Sequence, residues 1–199
     1  MKQITVIVFL FSSMLTAGSE AALADTVDID LDSLCPTAGD LCPIPASGVV
    51  LHDFITLESP DGARIFNNSD TPLDASLAFL GEQTAIFTFD TSQARVSEIS
   101  FSGSPNGDGG TLTYIASQSM NLPITVAENA DFDASISAAT GDMFTSLTLA
   151  STIAVGTSPE PFARDFVITY TPIPVPPAVW LMVSGLIGLV GIARRKRAG

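Results

Sequence analysis

Between Thr26 and Asp32 the chain alternates strictly, with Val27, Ile29 and Leu31 on one side and Asp28, Asp30 and Asp32 on the other. A side-chain period of two marks a half-buried strand, and here the solvent face is acidic. Comparable runs recur at 49–58, 84–89, 96–102, 111–117, 122–127, 131–137, 144–150 and 165–171, rich in Thr, Val, Ile and Phe. Turn chemistry separates them: Ser59-Pro60-Asp61-Gly62, the stretch from Ser104 to Gly110, and Thr140-Gly141-Asp142. The middle one reads as a hairpin loop between its flanking strands. Only residues 74–80 suggest a helical turn, and residues 25–171 carry no long 3.6-residue pattern. Short strands spaced by roughly ten residues, without crossover helices, predict an all-β fold: an antiparallel β-sandwich of jelly-roll or lectin-like type, its last strand running into a proline-rich stem.

Residues 25–171 are enough for one domain with a real core. They contain no lysine, and Arg64, Arg95 and Arg164 face fifteen Asp and five Glu, a formal charge of −17. Such a surface repels nucleic acid and anionic lipid, and it keeps an exported protein soluble. With His52 the sole histidine, motifs built on paired histidines are excluded, and neither G-x-S-x-G nor a phosphate-binding glycine loop is present. No cofactor, metal site or catalytic set is therefore expected, and His52 reads as a structural or surface residue. Asn106-Gly107-Asp108-Gly109-Gly110 has the oxygen-rich, glycine-rich look of a calcium loop but lacks the closing bidentate Glu, and a turn accounts for every residue. Asp131 and Asp133 would share a strand face about 7 Å apart, a spacing found in glycosidases and equally on any solvated acidic strand. Phe54, Phe66, Phe79, Phe87, Phe89, Phe101, Phe132, Phe144 and Phe166 are core candidates; with no Trp and only Tyr114 and Tyr170 in this region, a sugar-stacking platform is not advertised.

Both chain ends carry targeting signals. Met1-Lys2, the apolar run from Ile4 to Leu15 and Ala22-Leu23-Ala24 form a signal peptide over residues 1–24, with cleavage before Asp25. Export to an oxidising compartment makes a local Cys35–Cys42 disulfide the default, worth about 2.5 kcal/mol by chain entropy for so short a loop. At the other end, the stem 172–177 precedes residues 178–193, an uncharged stretch that as a helix would rise about 24 Å against a hydrocarbon core of about 30 Å. Trp180 suits the outer interface, while Arg194, Arg195, Lys196 and Arg197 in the tail 194–199 suit the cytoplasmic side. Ser184, Gly185, Gly188 and Gly191 leave one helix face smooth enough for close helix approach, and glycine is also simply common in membrane helices.

Pro174-Val175-Pro176-Pro177-Ala178, followed by Trp180-Leu181, the Ser184-Gly185-Leu186 core and the Arg-rich end, resembles the PEP-CTERM family of bacterial sorting tails in its Val-Pro-x-Pro-Ala variant. The Glu between prolines that names the family is missing here, and Pro159-Glu160-Pro161 lies too far before the helix to replace it. The resemblance implies secretion, transient membrane anchoring and recognition by an exosortase, a membrane-embedded processing enzyme, in a bacterium that makes extracellular polysaccharide. Residues 86–90, 96–101 and 162–168 look, more loosely, like the lectin-like sandwich domains that precede such tails. The expectation is a non-enzymatic protein of the cell surface or extracellular matrix, associated with exopolysaccharide and biofilm; the alternative is a carbohydrate-binding, lectin-like module of the cell surface.

Overall fold

The computed structural model describes residues 23–37, 39–67, 75–105, 110–152 and 161–174. Within them thirteen strands join into one antiparallel sheet. The sheet curls so that its two halves face each other. One half carries β1 (Asp25–Asp28), β2 (Leu41–Pro43), β5 (Arg64–Asn67), β6 (Ala75–Ala78), β8 (Ala94–Ser104), β11 (Phe132–Ser137) and β13 (Phe162–Pro172). The other carries β3 (Val49–His52), β4 (Ile55–Glu58), β7 (Thr84–Phe89), β9 (Leu112–Gln118), β10 (Ile124–Glu128) and β12 (Phe144–Ser151). In the first half β8 lies between β11 and β13, and β6 and β1 pair with different stretches of β13. In the second the order is β10-β9-β12-β7-β4-β3. The halves meet where Phe144 of β12 pairs with Val96 of β8.

Phenylalanine fills the space between them. Phe166 of β13 lies 4.8 Å from Phe87 of β7 and 5.3 Å from Phe101 of β8, ring centre to ring centre, and Phe101 meets Tyr114 of β9 edge-on at 5.3 Å. Phe54, Phe79, Phe87, Phe89, Phe101, Phe144 and Phe166 are all buried, whereas Phe66 and Phe132 are half-buried. Each ring removed from water stabilises the fold by about 1.5–3 kcal/mol, which is how a domain with so many like charges holds together.

Local polar groups move several boundaries away from what periodicity alone suggests. The strand expected over 26–32 ends at Asp28. Asp30 Oδ1 then accepts the N–H groups of Asp32 (2.9 Å) and Ser33 (3.3 Å) and turns the chain into a single 3-10 turn, Asp32–Leu34. The run 49–58 is a hairpin rather than one strand, β3 and β4 folding back at Asp53-Phe54. Residues 75–78, within the stretch 74–80 expected as a helical turn, form strand β6 with all four residues buried, because pairing to β5 and β13 overrides local preference. The stretch 104–110 is no hairpin loop: β8 pairs with β11, β12 and β13, β9 pairs with β10 and β12, and the connection crosses from one half of the sheet to the other. Strands β2 and β5 have no counterpart among the sequence expectations.

Cys35 and Cys42 are joined by a disulfide, with Cα atoms 5.5 Å apart. Asn67 Nδ2 donates to the Cys35 carbonyl at 2.7 Å, tying this loop to the end of β5. Among the described residues no helix is long and apolar enough to cross a membrane. The helix expected over 178–193 lies outside them.

Candidate functional site

Alternation along β8 sends Ile99 and Phe101 into the core and Ser100 and Ser102 to the outer face. On β13 the same period buries Ala163 and leaves Phe162 and Arg164 outside, beside Ser104 and Ser102. On β11, Asp133 stands opposite Ser102 and Phe132 opposite Gly103. These residues enclose an open trough of about 260 Å³ lined by Ser102, Gly103, Ser104, Asp131, Phe132, Asp133, Phe162 and Arg164. Its floor is hydroxylated, one wall is acidic, and the other carries an aromatic ring with a guanidinium 5.6 Å from its centre.

Two features fix that geometry. Gly103 lies so close under Phe132 that a Cβ there would come within 2.5 Å of the ring. The absence of a side chain lets Phe132 fold over β8 and sets Asp131 and Asp133, its chain neighbours, along the trough. Asp165 has φ +57°, the only described non-glycine residue with positive φ, and sits where the β13–β8 register slips between Arg164 and Val167. Its carboxylate accepts Ser102 Oγ at 2.6 Å and lies 3.4 Å from Arg164 Nε. A bulge of this kind re-aims side chains at a sheet surface, and Asp tolerates the left-handed conformation better than most residues. Ser104 Oγ likewise donates to Asp131 Oδ1. The trough thus presents fixed acceptors and fixed donors side by side on a strand scaffold.

Asp131 and Asp133, which the sequence places on one strand face, are brought together here. Arg164, Ser102, Ser104, Phe162 and Asp165 were not singled out as a site. The scarcity of arginine was the sole signal for Arg164, and generic strand residues give none for the others. His52 ends β3 in an aromatic group, its ring centre 4.7 Å from Phe54 and 6.0 Å from Tyr170. Among the described residues no group of three or more His, Cys, Asp and Glu could hold a metal ion. Ala24 precedes β1 and Asp25 opens it, while Pro174 is exposed beyond β13. Ala22, Asn106, Asp108 and everything from Val175 to Arg197, hence the rest of the sorting motif, the glycine face and the basic end, lie outside the described residues.

No protein family model matches the chain, and no curated protein matches it. Among solved structures it is similar to CBM29_1, a family 29 carbohydrate-binding module from Piromyces equi, with TM-score 0.42 and 8% identity over 73% of this chain and 90% of that one. It is also similar to part of BtGH115A, a family GH115 4-O-methyl-α-glucuronidase with specificity for decorated arabinogalactans, with TM-score 0.23 and 14% identity over 75% of this chain. The match takes in 18% of that enzyme. Both likenesses are coarse and extend no further than a curled antiparallel sheet.

Proposed function

We propose that this chain is a non-enzymatic exported surface protein whose domain, a lectin-like sandwich, binds a polysaccharide in the β11–β8–β13 trough. The observation that carries this reading is the lining itself: the Asp131 and Asp133 carboxylates, the Ser102 and Ser104 hydroxyls and the Arg164 guanidinium line one trough with Phe132 and Phe162. A pyranose offers matching chemistry, vicinal hydroxyls that both donate and accept around an apolar ring face. Two carboxylates against one guanidinium, on a domain of charge −17, favour neutral or amino sugars over uronic acids. Such a shallow site, lined by two phenylalanines and no Trp, gains strength from repetition along a polymer and across many displayed copies.

The two ends complete the proposal: a signal peptide before Asp25 and a sorting tail that an exosortase recognises, carrying the domain to the cell surface or matrix. Binding is tested with the full chain in detergent on immobilised neutral, amino-sugar and uronic-acid polysaccharides, beside Asp133→Asn and Arg164→Gln. Loss of retention in both variants supports the trough; retention unchanged by both, or no retention on any polymer, refutes it. Sorting is tested by intact mass in the native host. A product running from Asp25 to the stem supports tail removal, and a chain that always keeps Arg197 overturns the exosortase part.

A further inference from the structure

One row of residues runs straight across the sheet: Asp25 pairs with Tyr170, Tyr170 with Val96, Val96 with Phe144, and Phe144 with Gln118. Beyond this row, at one pole of the domain, lie the start of β1, the end of β13 and the β9–β10 loop. Of the five large apolar side chains that the described residues leave exposed after Ala24, three sit at this pole: Met120 (73%), Leu122 (87%) and Ile173 (41%). The loop is held firmly. The Asp142 carboxylate accepts the N–H groups of Met120 and Asn121 at 3.1 and 3.0 Å and the Asn121 side-chain amide at 2.8 Å, so the backbone is satisfied inward while Met120 and Leu122 point to solvent.

We infer that this pole rests on the surface of a lipid bilayer, with Met120 and Leu122 dipping into its interfacial layer. The inference rests on the reading of residues 178–193 as a membrane anchor. On that reading the proline-rich stem from Pro174 to Ala178 could reach at most about 12 Å even if fully extended. A domain so tethered cannot stand clear of the bilayer, and the face turned toward it is the one from which the chain leaves. Apolar side chains on a pinned loop tip gain by entering the headgroup region, the layer to which the anchor reading assigns Trp180. Asp25, Asp53 and Asp90 are exposed at the same pole, so the surface it fits is a zwitterionic one, not an anionic one.

The test uses the full chain reconstituted into phosphatidylcholine vesicles, with lipids brominated near the headgroup as quencher. In the native chain the sole indole, Trp180, should be quenched, which reads the anchor by itself. In a Trp180→Phe background, Leu122→Trp should shift to the blue and lose most of its emission, whereas Leu41→Trp, an exposed apolar position whose row passes through Phe66 and Ser76 toward the Phe162 end of β13, should not. Quenching of Trp180 without quenching at position 122 overturns the inference and leaves the anchor standing. If Trp180 is not quenched, anchor and inference fall together. A blue shift at position 122 that brominated lipid does not quench assigns the pole to a second copy or another protein, and also overturns it.

Discussion

Arg95 donates twice to the backbone carbonyl of Asp142, from Nε at 3.2 Å and Nη2 at 3.0 Å, and so ties the start of β8 to the turn before β12. Asp142 is 3% exposed. Its carboxyl group is held well below its ordinary value of 3.8, first by the Ser119 hydroxyl and then, against the opposing effect of burial, by the Asn121 amide and the N–H groups of Met143 and Met120.

A depressed carboxyl contributes stability that is fully present above its unfolded value and is lost as pH falls through the folded one. Wild type should therefore lose Tm steeply below about pH 4, once the unfolded chain begins to take up this proton. Asp142→Asn should be less stable at pH 7 and show a shallower fall between pH 5 and pH 2. Calorimetry across that range decides, and parallel curves for the two proteins would contradict the assignment.

Gly103→Ala puts a methyl group where the Phe132 ring lies. The ring must move, at a cost of about 1–3 kcal/mol for overpacking, and the acidic wall of the trough moves with it. Chemical denaturation should show the loss. The double variant Gly103→Ala with Phe132→Ala, which vacates the colliding atoms, should show less than the sum of the two single effects.

At Asp165 the left-handed backbone and the bond to Ser102 can be separated. Asp165→Asn keeps a side chain suited to that φ and should cost little. Asp165→Val adds about 1–2 kcal/mol of backbone strain to the lost hydrogen bond. The two variants should differ in urea midpoint with unchanged m-values; equal midpoints would remove the strain argument.

Cys35→Ala with Cys42→Ala opens a short loop pinned otherwise by the Asn67 bond to the Cys35 carbonyl. The expected loss is at most about 2.5 kcal/mol. Hydrogen exchange should place it at β2 and the 3-10 turn, leaving β8, β12 and β13 as protected as before.

Phe166→Ala removes the ring that touches both Phe87 and Phe101 and should cost about 3–5 kcal/mol. Its unfolding midpoint should fall further than that of any trough variant. A smaller loss than Phe162→Ala would mean that the core is centred elsewhere.

Period-two patterning made the all-β character and most strands readable, because the longer strands turn alternate residues into the phenylalanine core. The pattern says which face is buried but not which strands are neighbours. Nothing local in 104–110 distinguishes a hairpin from a connection between halves, and only the pairing of β8 and β9 with other strands reveals it. Residues 75–78 read poorly because Ala and Ser are weak strand formers, yet two neighbours hold them extended. The trough was half legible: Asp131 and Asp133 stand two residues apart in sequence, while Ser102 and Arg164 meet them only through a register that bends at Asp165.

In β13 the trough residues Phe162 and Arg164 stand at one end and Pro172, where the chain leaves the sheet, at the other, about 33 Å away along an extended strand. On the proposed function, a pull on a polysaccharide in the trough, resisted by the proposed anchor beyond Pro172, would run the length of β13. It crosses hydrogen bonds to β8 and β1 that lie perpendicular to it. Those bonds are loaded in shear, many at once, instead of being peeled singly, so under tension the strand that carries the load is the hardest to draw out.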